Sequence, residues 1–467
     1  MKLIAFFGFP CDRQLGFKLL NQCIDGGGLR APLAALLLLS WHIIGPSFYT
    51  LRLSYHNQRA ETILNKFLAK HPRGALFLWL QGRMYRTNKQ LQSSVDVFTL
   101  TANQQQQWLQ LQHLCSYELA WSYMFMMDYH NSVKHWQLLY TNNNWSKATF
   151  AYMIAVALLD SIPENTPCDA TVQNVWAEQD QLARPYFMSV IDNCNRKFGG
   201  KALSIEQFVL RRSKQFIEEN KRPVLPTLEM IYLFYGINQL DQQLLNQAAT
   251  MCESAANNTP SNDIESLALI QLIKASILRN QKKYKQCDSI LLQIDELGDH
   301  LFKQENYVKP FTRFDLASSY LEQVYHTNSY IILMPYLYTD IFDFYIFIVY
   351  QVAELDNAQI QQTHITPNNS SPTNSNSHSH TPTSSSNHAT QRGQLLDNAK
   401  LMLKRCYAIK GNYNFKNRLH LRAHLAQQEL HGIQSHWVDD CYINFVDDDK
   451  SLTPNDLDAS NLTDYNR

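Results

Sequence analysis

Small and bulky apolar positions recur along this chain at nearly constant spacing, most clearly between Ala60 and Leu139. In a helical hairpin a small residue lets two helices approach closely, and a bulky apolar residue one turn later packs on the partner helix. Ala60 with Leu64, Ser94 with Phe98 and Ser132 with Trp136 stand in that relation. Their small members are separated by 34 residues (94 minus 60) and then by 38 (132 minus 94). Twelve residues ahead of Ser94 and Ser132 come Gly82 and Ala120, each followed three residues later by a tyrosine, Tyr85 and Tyr123. Pro72 falls where such a unit ends its second helix, and a weaker unit repeats the offsets at Ala275, Leu278, Tyr284, Cys287 and Leu291.

A period in this range is that of tetratricopeptide units. The pattern therefore predicts an all-α fold: tetratricopeptide-like helical hairpins forming a superhelical array. The competing reading is an ordinary helical bundle with incidental spacing.

The 467 residues suffice for two or three domains or one elongated array. Forty-one basic and 41 acidic residues cancel, with no sustained Lys/Arg run, so no nucleic acid partner is expected. Nine cysteines are scattered without a CxxC pair. Several, such as Cys115 and Cys287, fall on apolar helical positions and read as small core residues in a reducing compartment. Without a secretory signal, the sequon at Asn461, Leu462 and Thr463 reads as chance. Ala31–Ile44 is apolar but short of the roughly 20 residues that span a bilayer, and reads as a buried helix. Ile331–Tyr350 contains Asp340 and Asp343, each costly at mid-bilayer.

Along the chain, Asp12 can cap a helix reaching Ile24, Gly26, Gly27 and Gly28 break it, and Pro32 opens the next helix, which stops near Gly45 and Pro46. The glycine run lacks the lysine and preceding strand of a phosphate loop and reads as a tight interhelical turn. The repeats run from Arg59 to Asp160; Ser161–Thr171 reads as a loop, and helices are expected at Val172–Asn193, Ser204–Glu219 and Leu228–Ile237. Residues 1–323 are then one helical repeat array. Residues 324–392 read as an insertion, first aromatic (Tyr336, Tyr338, Phe342, Phe344), then a Ser/Asn/His/Pro tract from Thr363 to Gln391 that cannot bury enough apolar surface and is expected to be disordered. Its flanks, Phe311–Gln323 and Gly393–Tyr407, read as two helices of one hairpin. A retained intron explains the aromatic half; a membrane or partner contact is the alternative. Residues 393–437 complete the array, closed by a helix with Leu419, Leu421, Ala423 and Leu425, and 438–467 form an acidic tail.

No catalytic motif is present: there is no GxSxG elbow, HExxH helix or kinase-type set. His113, His130 and His135 share a region but lack a carboxylate or cysteine at ligand spacing, and His364, His378, His380 and His388 lie in or beside the polar tract. Asp and Glu pairs read as solvated surface charge. Trp79, Trp108, Trp121, Trp136 and Trp145 fit interlocking repeats, some of them candidates to line a concave groove. No catalytic, metal or cofactor residue is assigned, and the binding residues stay unknown.

Several stretches resemble the tetratricopeptide-repeat protein 39 family: Gly26-Gly27-Gly28-Leu29-Arg30-Ala31-Pro32-Leu33, Phe67-Leu68-Ala69-Lys70 with Pro72, Gly74 and Ala75, His113-Leu114-Cys115 with Glu118-Leu119, Trp145-Ser146-Lys147-Ala148, and Pro226-Thr227-Leu228-Glu229. The resemblance covers most of residues 8–323 and resumes over 393–432. It departs from the family at the insertion and ahead of Gly8, where further helical sequence is expected. It implies a non-enzymatic adaptor without cofactors, whose partners are lipid-droplet proteins and misfolded-protein inclusions, acting in inclusion-body clearance after folding stress in cytoplasm and nucleus. It also implies two alternatives, a mitochondrial outer-membrane-associated component and a regulator of lipid homeostasis. Membrane contact is expected to be peripheral at most.

Overall fold

A computed structural model describes residues 13–51, 53–143, 146–161, 172–194, 197–198, 201–202, 204–327, 384–409, 413 and 415–434. Asp12, Trp145, most of the Ser161–Thr171 loop, the aromatic run after Tyr336 and the acidic tail lie outside these residues. The fold is all-α: seventeen α-helices appear among the described residues, with a single two-residue antiparallel pairing, Lys197–Phe198 on Lys201–Ala202.

The helices are α1 Arg13–Asp25, α2 Ala31–Ile43, α3 Leu53–Lys70, α4 Ala75–Thr87, α5 Leu91–Gln104, α6 Leu109–Phe125, α7 Tyr129–Asn142, α8 Lys147–Asp160 and α9 Val172–Asn193. They continue as α10 Ser204–Glu218, α11 Pro226–Leu233, α12 Gln242–Asn258, α13 Ile264–Asn280, α14 Tyr284–Glu296, α15 Val308–Thr327, α16 Ser384–Tyr407 and α17 Lys416–Gln434. From α1 to α10 and again from α12 to α17 each helix packs on the next, and α2 on α4, α4 on α6 and α13 on α15 stack alternate helices into a continuous wall. Sequential packing of this kind defines a repeat array.

The repeat positions do what their spacing predicts. Ala60, Leu64, Ser94, Phe98, Ser132 and Trp136 are all buried. A methyl group on Gly82 would sit 2.7 Å from the Phe98 ring, so the glycine is what lets α4 and α5 cross there. In the next unit the Ser132 hydroxyl donates to the Ala120 carbonyl at 2.9 Å, tying α7 to α6. Phe98 is fully enclosed and cannot swing away. Gly82→Ala is therefore expected to destabilise the fold by about 2 kcal/mol, as overpacking does. A urea midpoint equal to that of the parent chain would refute the close crossing.

A second repeating device is invisible to apolar spacing. Lys89, Met127 and Lys282, each two residues past the end of α4, α6 or α13, adopt left-handed backbone with φ of 65°, 59° and 61°. The amide of the following residue reaches back to the carbonyls of Tyr85, Tyr123 and Leu278 at 2.9 Å in each turn. Glycine normally occupies such a helix stop, because a Cβ is strained there. Lys282→Gly is expected to raise stability by about 0.5–1 kcal/mol, read as an increase in Tm.

Tyr235, φ 60°, ends α11 in the same way. The helix expected over Leu228–Ile237 consequently stops at Leu233, and a methyl on Gly236 would meet the Phe125 ring at 2.5 Å. Two further expectations need correction. Helix α15 continues past Gln323 to Thr327, because Val324 is buried in the core and extends the apolar face. The polar tract is helical from Ser384 onward, where the backbone runs into α16. Helix α16 packs on α15, with Arg313 of the first reaching the Arg405 carbonyl of the second at 3.5 Å.

Gly27, φ +66°, makes the turn between α1 and α2. Helix α2 buries Ala31, Ala34, Ala35, Leu38, Leu39 and Ile43, while Leu33 and Leu37 face outward. No described helix is long and apolar enough to cross a membrane.

Candidate functional site: the interior of the array

The wall of helices curls until distant parts of it meet. Helix α11 touches α6, α8 and α13, and α4 reaches the turn at Ile237–Gln239. Tyr49, ahead of α3, packs edge-on against Phe314 of α15 at 5.9 Å. Buried charge is concentrated where these helices meet.

Three of the buried ion clusters join helices distant in sequence or in the wall. Glu118 of α6 lies between Arg83 and Arg86 of α4, each 2.6 Å away. Burial alone would raise its pKa; the two guanidinium groups overcome this and hold the carboxyl below its usual range. In the second cluster Arg212 of α10 bridges Glu229 of α11 and Glu305 ahead of α15, and the Tyr307 hydroxyl donates to Glu229. Burial pushes the Glu229 carboxyl above the ordinary range against the pull of Arg212, and the Glu305 charge adds to the rise.

The third cluster centres on Asp315 of α15. Tyr232 donates to it at 2.8 Å, Arg279 of α13 at 3.4 Å, and Arg422 of α17 stands 4.0 Å away. Glu322 lies 3.7 Å from Arg279. Asp and Glu pairs were expected to be solvated surface charge, and these clusters correct that reading: Glu118, Glu229, Glu305 and Asp315 are buried. Their partners come from helices whose proximity no local pattern reveals.

The Glu322 carboxyl is raised to about 7, by burial first and by the nearby Asp315 and Asp288 against Arg279. A carboxyl whose folded pKa lies above its unfolded value favours the fold when protonated; that stability is full below about 4.5 and is lost as pH rises through about 7. Glu322→Gln is expected to stabilise the chain by about 1 kcal/mol at pH 8, a value reduced for the side chain's partial exposure, and to flatten stability between those pH limits. Parallel urea curves for both chains at pH 5 and pH 8 would overturn this assignment.

The histidines expected to share a region stay in separate settings. His113 faces the Asn143 amide at 3.3 Å, His135 stacks on Tyr123 with ring centroids 5.6 Å apart, and His130 is exposed on α7. His364, His378 and His380 lie outside the described residues, as does the side chain of His388. Among the described residues no three His, Cys, Asp or Glu side chains come together to hold a metal ion. Burial pushes the Cys115, Cys252 and Cys406 thiols up to about 12, so they are inert core groups at neutral pH. Trp121 and Trp136 are buried against each other, ring centroids 5.8 Å apart; Trp79 is half-buried, and Trp108 is exposed beside α6.

Helix α17, expected to close the array, packs on α15 and α16 and reaches back to the N-terminal helices. Its Leu421 and Leu425 pack against the apolar cluster of α1–α4, while Leu419, Ala423, Ala426 and Leu430 belong to the main core. Phe415, just ahead of it, stacks near Phe208 of α10 at 5.1 Å, and Arg418 lies 4.0 Å over the Phe234 ring.

The arrangement is a set of stacked helical hairpins whose polar groups are ionic braces between neighbours. The family described as Iml2/Tetratricopeptide repeat protein 39 matches residues 1–281 of the 467. The chain belongs to that family. No solved structure matches it. Within the Iml2/Tetratricopeptide repeat protein 39 family, a helical-repeat architecture supports a scaffold role, because arrays of this type generally mediate protein interactions through extended surfaces.

Proposed function

We propose that this chain is a non-enzymatic helical-repeat adaptor acting in lipid-droplet-linked clearance of misfolded-protein inclusions, in cytoplasm and nucleus. The observation that carries the reading is membership of the Iml2/Tetratricopeptide repeat protein 39 family together with a helical-repeat architecture, a type of array that generally mediates protein interactions. Lipid-droplet proteins and misfolded chains are the partners it implies. In cells deleted for the protein, stress-induced inclusions are expected to persist several-fold longer than in the parent, measured by imaging after stress is withdrawn; clearance at the parental rate would sink the reading.

A second reading, peripheral association with the mitochondrial outer membrane, draws on one surface. Leu15 and Leu19 of α1, Leu29, and Leu33 and Leu37 of α2 are all exposed, with Leu29 entirely so. An exposed apolar set of this kind marks an interaction surface. Cell fractionation followed by salt and carbonate washes decides between the readings. A pool that sediments with mitochondria and is released by carbonate favours the second; a pool absent from mitochondria removes it.

A further inference from the structure

Charge is spread unevenly along this neutral chain. From Arg13 to Gly74 stand eight Lys and Arg but two Asp and Glu, a net of +6 (8 minus 2), whereas the 41 basic and 41 acidic residues of the whole chain cancel. That stretch contains α1, α2 and α3, and the first two of these helices, with the turn between them, carry the exposed leucines. A local excess of one sign constrains the chemistry of what such a surface meets.

The fold gathers both features at one end of these helices. Leu29 lies in the turn between α1 and α2 and is entirely exposed. A methyl on Gly28 beside it would meet nothing within 4 Å, so the turn stands clear of its neighbours. Leu33, in the first turn of α2, is exposed as well, and α2 holds no Asp, Glu, Lys or Arg. Helix α3 packs on α2 and brings its last turns to the same end, where Lys66 bonds to Asp25 at 2.9 Å. Beyond Lys66 come Lys70 and Arg73, both exposed, and Arg30 is exposed next to Leu29. Asp25 answers one of these four cations; Glu61, the other acid of the stretch, lies more than a helical turn before Lys66.

Shape selects among anionic partners. A partner protein's side chains need a concave site to enter, and a leucine standing at the tip of a turn offers none. It fits a surface soft enough to close round it. A bilayer interface does this, taking apolar side chains below the headgroups while flanking cations stay at headgroup level.

We propose that the turn between α1 and α2 is a lipid-insertion tip: Leu29 and Leu33 enter the membrane interface, and Arg30, Lys70 and Arg73 hold anionic phospholipid headgroups. The proposal rests on the peripheral-membrane reading and deepens it by naming the lipid class and the residues that meet it.

The test mixes the full chain with phosphatidylcholine vesicles, with and without phosphatidylserine, and measures co-sedimentation. Binding to the phosphatidylserine vesicles is expected to be at least about tenfold tighter than to the neutral ones, and to weaken as salt is raised. Leu29→Asp should weaken it about tenfold or more, as taking one leucine out of the apolar layer requires. Arg30→Ala, Lys70→Ala and Arg73→Ala combined should weaken it about a hundredfold, at roughly fivefold per charge. All four side chains are exposed, so these chains should keep the parental Tm. Leu29→Trp is an independent probe: brominated phosphatidylcholine in the anionic vesicles should quench it beyond the quenching of the parent's own tryptophans. No binding to either vesicle, equal binding to both, parental binding by Leu29→Asp, or no added quenching would each overturn the proposal. In the first case the face belongs to a protein, and sedimentation velocity tells whether that is a second copy of this chain. A mitochondrial pool in cells without vesicle binding by the isolated protein keeps the peripheral-membrane reading, through a protein receptor, and ends this inference. Vesicle binding without such a pool does the reverse.

Discussion

Replacing Arg212 with methionine is expected to destabilise the fold by about 3–5 kcal/mol, the largest effect of any single change considered, because its guanidinium pairs closely with two buried carboxylates. Arg212 pairs with Glu229 and Glu305, groups from α10, α11 and the segment before α15, so its loss leaves two like charges close together with only the more distant Arg211, 3.8 Å from Glu305, to offset them. Methionine keeps much of the apolar volume, which separates the electrostatic cost from a cavity cost. The pH dependence identifies the cause. Carboxyl groups left without their cation have folded pKa values raised above those of the unfolded chain, so stability is present at low pH and lost as pH rises. The defect should therefore be markedly smaller at pH 5 than at pH 8 in urea unfolding followed by circular dichroism. A defect equal at both pH values would assign the loss to packing. Adding Glu229→Gln to the methionine chain should recover part of the stability at pH 8.

Glu118→Ala is expected to cost about 3–4 kcal/mol, by the mirror-image mechanism. Arg83 and Arg86 would face each other with no anion between them, and both are nearly inaccessible to water. Arginine does not lose its proton in proteins, so no accessible pH removes the repulsion. The native Glu118 carboxyl is held below its usual range, against the effect of burial, by these same two arginines. Its contribution is present above its unfolded pKa and is lost as pH falls through the lower folded value. In the alanine chain that acid-labile contribution is gone, so lowering the pH to 5 should not rescue it. Glu118→Gln, which keeps the shape and can still accept a hydrogen bond, should lose about half as much. The contrast between Arg212→Met and Glu118→Ala is thus a contrast in pH response, and a common pH response would contradict the charge assignments on the inner wall.

Both clusters tie one helix of the wall to another, and the second also ties α10 to the segment before α15, which bears on what a scaffold of this type requires. Ionic braces hold the relative orientation of α4 and α6, or of α10 and α11, more strictly than apolar contacts do, since a guanidinium must meet its carboxylate at a defined distance and angle. A surface that has to present one shape to a partner segment gains from such constraints.

The repeat architecture could be read from the chain because its cause is local. Close crossing needs a small residue, and packing needs a bulky one a turn later; Ala60 and Leu64, Ser94 and Phe98, Ser132 and Trp136 satisfy both requirements within four residues of sequence. The glycine turn at Gly27 and the core role of α2 were legible for the same reason. The left-handed stops at Lys89, Met127 and Lys282 were not, because no glycine announces them and the strain is offset by the packing of the hairpin that they close. The extension of α15 through Val324 was hidden by a change of composition that begins just beyond it.

What only the tertiary structure decided is where charge and the last helix go. Glu61 and Glu118 are equivalent as letters in helical stretches, yet Glu61 is exposed on α3 and Glu118 is buried, because Arg83 and Arg86 reach the second from another helix. Nothing within α17 says whether it caps the array or fills it: its apolar residues form no single stripe, and its arginines suit solvent as well as they suit the rings of Phe234, Tyr235 and Phe314. The curl of the wall settles the matter by bringing those rings and Asp315 to one place. The sequence determined the hairpins, whose packing rules act over a few residues; the structure determined the interior, whose chemistry is assembled from side chains up to hundreds of residues apart, as where Tyr49 meets Phe314.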